Sequence, residues 1–234
     1  MDRIVVHKSG PLSGRVEVPG AKNSVLKLMV ASLYAAGTHE LTNVPDISDV
    51  DTMGALLGSL GVHVRHDAQR PGVLCLDAGD IRPQAPSELV VSIRASVNLL
   101  GPLLACCGRV RLDMPGGDDF GARPIDMHIA GLSAMGAHFD STRGYIEARA
   151  DRLHAAEITL DFPSVGATEN LVTAAVHAQG VTTIHNAARE PEVADLCSML
   201  VEMGAQISGI GTSTVRIEGV ERGTLKPVSH PVVG

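Results

Sequence analysis

The 234-residue sequence predicts an α/β fold of an unusual kind: three pseudo-symmetric β-α-β-α-β-β copies forming an inside-out barrel, helices within and sheets outside. Three observations predict it. Apolar helix-like runs end on a glycine three times, at Gly37, Gly108 and Gly180. Each is followed by a glycine that opens a strand-like run, at Gly61, Gly136 and Gly204, with matching spacing in the first and third copies and four extra residues in the second. Finally, stretches such as LLGPLLACC and LVTAAVHA have almost no polar face, and a helix of that kind must be buried on every side.

The copies span about 15–79, 88–150 and 157–220, within a domain of 21–224. In the first, Arg15 to Val18 alternates as a strand, Asn23 to Ala36 reads as the buried helix, and His39 to Thr42 as a strand. Val50 to Leu60 is a second helix, and Val62–Arg65 with Val73–Leu76 a closing hairpin. The second copy reads Glu88–Val91 strand, Ser96–Cys107 helix, Val110–Asp113 strand, Ile125–Met135 helix, then Ala137–Asp140 and Tyr145–Ala148. The third reads Glu157–Leu160, Glu169–Ala178, Thr182–His185, Val193–Met203, Gln206–Ser208 and Thr214–Glu218 in the same order. Alternating strands and helices predict mostly parallel neighbours with right-handed crossovers. Gly101-Pro102 predicts a kink in the second buried helix.

Composition narrows the function. With 44% apolar residues, 2% aromatics and no Trp, the core must be aliphatic. A net charge of −7 argues against a nucleic-acid binder and against an anionic membrane surface. No run is long enough to span a bilayer, and the N-terminus does not resemble a signal peptide. Cys75, Cys106, Cys107 and Cys197 sit in apolar runs without paired spacing, which predicts free thiols and a cytoplasmic protein. The ten histidines show no metal spacing; His63 and His66 read as surface residues, and Met127, Met135, Met199 and Met203 as core.

Chemistry concentrates at strand-to-helix corners. Lys22 and Arg94 precede the first two buried helices, and Ser164-Val165-Gly166-Ala167-Thr168 precedes the third. Helix N-termini attract anions and repel cations. Lys22 and Arg94 therefore weaken their own helices unless an anion arrives, a local conflict that points to function. An ordinary exposed corner could carry each charge alone; the set points to an anionic ligand. The four extra residues of the second copy fall in PGGDDFGARP, a glycine-rich loop able to serve as a lid. Arg123 sits just before Pro124 at a helix start. Asp118 and Asp119 are adjacent, so each opposes ionisation of the other, and a carboxyl so raised can act as a general acid. A solvated polar loop is the competing reading. Glu190 and Glu192 fit helix capping as well as catalysis.

Gly20-Ala21-Lys22-Asn23-Ser24, Ile93-Arg94-Ala95-Ser96, PGGDDFGARPID, PSVGATEN and NAAREPE together resemble the UDP-N-acetylglucosamine 1-carboxyvinyltransferase branch of the enolpyruvyl transferases, across almost the whole chain. The resemblance implies transfer of an enolpyruvyl group from phosphoenolpyruvate to the 3′-hydroxyl of UDP-N-acetylglucosamine, in peptidoglycan precursor synthesis, with no metal or organic cofactor. By position it implies Lys22 and Arg123 on phosphoenolpyruvate, Asn23 on the reacting sugar, and Arg94 on the sugar nucleotide. It further implies Pro124, Ile125, Asp126 and Met127 at the uridine and Ser164, Val165 and Gly166 at the diphosphate.

Two departures stand out. The family commonly has a cysteine after Pro-Gly-Gly as the proton donor; here Asp118 stands there. A carboxyl can donate that proton but is not readily alkylated, so resistance to fosfomycin is expected. The family also resembles two threefold domains closing over one cleft, whereas this sequence carries one set of three copies. The general base and further arginines belong to the other half, so the chain is expected to be a substrate-binding half or to need a second chain. Residues 1–20 would be shared with that half, and 225–234 would lead toward it. The strand Ile4–His7 and the tail Leu225–Gly234 are expected to lack sheet partners or to pair with another chain.

Overall fold

The computed structural model describes residues 3–116, 124–140 and 144–234. The chain runs α1 (Lys22–Ala31), a 3-10 turn (Ser32–Tyr34), β1 (Gly37–Thr42), α2 (Ser48–Ser59), β2 (Val62–His66) and β3 (Leu74–Ala78). There follow α3 (Ser87–Ser92), a 3-10 segment (Arg94–Leu99), α4 (Leu100–Cys107), β4 (Arg109–Asp113), α5 (Asp126–Ala134), β5 (His138–Asp140) and β6 (Tyr145–Arg149). The last part is β7 (Glu157–Thr159), α6 (Val165–Ala175), β8 (Val181–His185), α7 (Pro191–Met203), β9 (Gln206–Ser208), β10 (Thr214–Glu218) and β11 (Ser229–Pro231). The fold is α/β with mixed sheets.

Three sheets form, in the orders β11-β1-β3-β2, β4-β6-β5 and β7-β8-β10-β9. Neighbours are mostly antiparallel, contrary to the expectation from the alternating order. The reason is local: β2–β3, β5–β6 and β9–β10 are hairpins, and a short turn permits only antiparallel pairing. Parallel pairing is confined to β1–β11 and β7–β8, supplemented by single bridges such as Gln84–Arg111.

Among the described residues, three predicted strands are absent. Glu88–Val91 lies in helix α3, because Pro86-Ser87-Glu88 supplies a helix start that outweighs the short β-branched run. Arg15–Val18 forms no strand, and Val16 stays 87% exposed. The edge of β1 that it could have joined is taken by β11, with Glu40 opposite Ser229 and Thr42 opposite Pro231. The tail thus has a sheet partner within the chain, contrary to expectation, while Ile4–His7 lies outside every strand. Buried His230 fixes the tail: Nε2 is 2.9 Å from Asp195 Oδ1 and Nδ1 is 2.8 Å from Glu202 Oε2. Asp195 Oδ2 also accepts from Ser24 Oγ, linking α7 to α1.

The helices provide the core. α1 packs on α7 and α2, α4 on α6, and α5 on α6. Every residue of α6 from Ala167 to Ala175 is buried. The predicted helix Ser96–Cys107 is split just ahead of Gly101-Pro102. The 3-10 segment hands over to α4 at Leu100, so Pro102 falls in the first turn, where its missing N–H costs little. Gly101 permits close approach: a Cβ there would lie 2.3 Å from the Asn170 carbonyl oxygen, and its N–H donates to Asn170 Oδ1 at 2.8 Å. Met135, Met199 and Met203 are core, Met127 is partly buried, and the four cysteines are free, Cys75 and Cys197 fully buried. His63 and His66 are exposed.

Candidate functional site

Helix N-termini converge on one cleft of about 790 Å³. Lys22 opens α1, Arg94 opens the 3-10 segment, Val165 opens α6, and Asp49 is the second residue of α2. Pro124, two residues ahead of α5, joins them. Two other surface clefts, of about 730 and 880 Å³, are as large, so size does not single this one out. Its chemistry does: helix N-termini and cations share one hollow, which suits an anion.

Of the predicted residues, Lys22, Asn23, Arg94, Pro124, Ser164, Val165 and Gly166 line the cleft. Ile125 is buried, Asp126 begins α5, and Met127 lines a separate hollow with Gly131 and Leu160; none of these three lines the cleft. Asp118, Asp119 and Arg123 lie outside the described residues. Ser164 caps α6 by accepting from Ala167 N–H at 3.3 Å. Glu190 makes no side-chain cap on α7, contrary to the capping reading; Glu192 Oε1 instead accepts from Asn23 Nδ2 at 3.4 Å.

The conflict expected at Lys22 is resolved within the chain. Its ammonium lies 2.6 Å from Asp49 Oδ1, so a fixed carboxylate provides the anion that the helix corner lacked. Arg94 reaches toward the long loop, donating to the Pro115 carbonyl at 3.4 Å.

Beneath these residues lies a polar floor that the sequence did not reveal. Lys27, one turn into α1, is 3.3 Å from Glu169 Oε1 on α6, an ionic contact without hydrogen-bond geometry. Lys27 also donates to the Asn23 carbonyl at 2.8 Å, and Asn98 donates to Glu169 Oε2 at 3.1 Å. Burial pushes the Glu169 carboxyl up to about 7 despite the opposing pull of Lys27 and Asn98. His128 accepts at Nδ1 from Asn170 Nδ2 at 2.9 Å, which leaves its proton on Nε2, beside Gly166. Burial, reinforced by the Arg94 charge, lowers His128 to about 4, so the imidazole is neutral at physiological pH. The floor therefore offers a neutral donor and a near-neutral carboxyl under a cationic rim. Among the described residues, no group of acidic, histidine or cysteine side chains could hold a metal.

Residues 6–234 match the family model for EPSP synthase (3-phosphoshikimate 1-carboxyvinyltransferase). Over 233 residues the chain is 52% identical to the UDP-N-acetylglucosamine 1-carboxyvinyltransferase of Mycobacterium bovis, covering 100% of this chain and 55% of that protein. The protein of the same name from Corynebacterium jeikeium is 51% identical with the same coverage. The chain thus spans about half the length of these curated relatives. Among solved structures, the enolpyruvyl transferase NikO from Streptomyces tendae superposes with a TM-score of 0.80 at 24% identity, over 94% of this chain and 52% of that one. An EPSP synthase from Acinetobacter baumannii superposes at 0.73 with 19% identity, over 94% and 49%. These two likenesses establish a shared fold.

Proposed function

The chain belongs to the EPSP synthase family, and from that membership we propose that it serves enolpyruvyl transfer from phosphoenolpyruvate to the 3′-hydroxyl of UDP-N-acetylglucosamine, with release of phosphate. The observation that carries the reading is the convergence of Lys22, Arg94 and the α6 N-terminus on one cleft. Both substrates are anions, and this cleft is built for anions. The relatives' names supply the acceptor.

In this reading Lys22 and Arg123 hold the phosphoenolpyruvate charges, Arg94 and the Ser164–Gly166 turn hold the sugar nucleotide, and Asn23 orients the acceptor. Glu192 accepts from the Asn23 amide and so fixes its direction. Asp118 gives its proton to the enolpyruvyl methylene while the sugar oxygen, its own proton taken by a general base, bonds to the adjacent carbon; phosphate then leaves as the new methyl group gives up a proton, which restores the enol double bond. The three sheets are three pseudo-symmetric copies of an inside-out barrel. Two share one strand order, and the third repeats it with the Gln84–Arg111 bridge in place of the outer strand. The product would feed peptidoglycan synthesis in the cytoplasm.

A second reading rests on length. Because the chain matches about half of each relative, it binds UDP-N-acetylglucosamine but turns nothing over until a second domain or chain supplies the general base and excludes water. Phosphate release from phosphoenolpyruvate, with UDP-N-acetylglucosamine and the purified chain, tests both. Turnover abolished by Asp118→Ala supports transfer by this chain. Calorimetric binding of UDP-N-acetylglucosamine without turnover, weakened by Arg94→Gln, supports the half-site. Absence of both turnover and binding overturns the assignment.

A further inference from the structure

On the second sheet, away from the cleft, β4 and β6 place Arg109 directly opposite Arg149, and β6 and β5 place Arg149 opposite His138. Three basic side chains therefore form one row across the exposed face of the sheet. The Gln84–Arg111 bridge lays the 82–86 segment alongside β4, and Arg82 joins Arg109, Arg111 and Arg149 in lining a hollow of about 880 Å³. Like charges directly opposite on a sheet are destabilising. Here the protein carries that cost despite a net charge of −7.

Some exposed cations elsewhere are neutralised within the chain. Arg70 is paired with Glu40 and Asp67, Arg152 with Glu221, and Lys22 with Asp49. Among the described residues, no carboxylate lies within ion-pair distance of Arg82, Arg109 or Arg149. Arg111 is held by its neighbours: its guanidinium stacks on Tyr145, 4.1 Å from the ring centroid, and Glu147 stands opposite it.

We propose that the Arg82–Arg109–Arg149 hollow is a second anion site, which takes a small polyphosphate-bearing molecule. Guanidinium groups bind phosphate oxygens in bidentate fashion. Arg82, Arg109 and Arg149 sit on three neighbouring segments, and adjacent strands lie roughly 4.8 Å apart, so the three guanidinium-bearing positions span about 10 Å, longer than a single phosphate and suited to a linked chain of them. The concave surface favours a small molecule over an extended macromolecule, and the overall negative charge disfavours nucleic acid.

The test is calorimetric titration of the whole chain with inorganic tripolyphosphate at low ionic strength. Saturable binding is expected, weakening as salt rises. Arg109→Gln/Arg149→Gln should lose about tenfold or more in affinity, the scale of one lost charge-assisted contact. In Lys22→Met/Arg94→Gln, which disables the cleft, one saturable site should remain, and adding Arg109→Gln/Arg149→Gln should remove it. No binding overturns the proposal, and so does binding lost in the cleft variant but kept in the arginine variant. A polyglutamate peptide that binds the row where tripolyphosphate does not would assign it to an acidic protein partner and overturn the small-anion site. As a folding control, unliganded Arg149→Gln should melt at or above the parent temperature, because a repulsion is removed. A clear drop would mark Arg149 as a structural support and overturn the proposal.

Discussion

Lys27 and Glu169 meet 3.3 Å apart beneath the cleft, both largely shielded from water, and they tie α1 to α6. Asn98 extends the tie to the 3-10 segment. The three corners bearing Lys22, Arg94 and Ser164 are therefore braced at one node. Lys27→Met should destabilise the fold by about 3–5 kcal/mol if Glu169 stays ionised, the usual cost of stranding a buried charge. Glu169→Gln, which retains the shape and hydrogen bonding, should cost far less. Denaturant unfolding of the two variants checks the contrast. The pH response has a definite sign. The folded pKa, at about 7, exceeds the ordinary carboxyl value, so the unfolded chain gives up this proton first. The Glu169 contribution is fully present below about pH 4.5 and is lost as pH rises through about 7. Glu169→Gln should flatten that part of the stability profile.

His230 secures the tail strand to α7 by standing between Asp195 and Glu202. Burial disfavours its charge, but the hydrogen bonds to Asp195 and Glu202 outweigh burial and raise its pKa. Stability from the imidazolium is fully present below about pH 6.5 and is lost as pH rises through the higher folded value. His230→Gln should remove this dependence and speed amide exchange at Val232 and Val233, which donate to the Thr42 carbonyl and to Asp195 Oδ2. Exchange at those amides unchanged from the parent would separate the tail from His230.

Gly101→Ala drives a methyl toward the Asn170 carbonyl and Thr173 Oγ1, at 2.3 and 2.6 Å from the unrelaxed position. Both belong to fully packed α6. Overpacking at such a site costs typically 1–3 kcal/mol. Thermal unfolding should show the loss, with near-parental stability at exposed Gly58, where a Cβ meets nothing within 4 Å.

Much of this was legible because local rules governed it. The buried helices announce themselves by lacking a polar face, and the corners at Lys22, Arg94 and Ser164 by placing cations or a capping serine at helix starts. What escaped is non-local. Lys27 and Glu169 are far apart in sequence, and nothing in either neighbourhood names the other. Nothing in the sequence around Asp49 sets it apart from an ordinary first-turn acid, although it neutralises Lys22. Arg15–Val18 has strand alternation, yet pairing depends on which segment reaches β1, and β11 does so with His230 holding it to α7. The short apolar run Leu89–Val91 makes Glu88–Val91 look like a strand, where Pro86 sets a helix.

Asp118 carries a prediction outside the described residues. If it occupies the proton-donor position, the protein lacks the thiolate that an epoxide would alkylate. Fosfomycin should leave no adduct in intact-mass spectra of the parent, and Asp118→Cys should gain one. An adduct on the parent chain at that loop would refute the assignment.

The Lys22–Asp49 pair sets a last expectation. Lys22 remains 54% exposed, so its ion pair contributes at most about 1 kcal/mol to stability and Asp49→Asn should fold normally. Its effect on ligands should be larger. Asp49 neutralises a charge that the proposed substrates need, and an arriving phosphate must displace or share it. Asp49→Asn should therefore tighten phosphoenolpyruvate or phosphate binding, and Lys22→Met should weaken it. Titration calorimetry on both variants decides the point. Equal affinities would mean that the pair stays closed and that Lys22 takes no part in holding the anion.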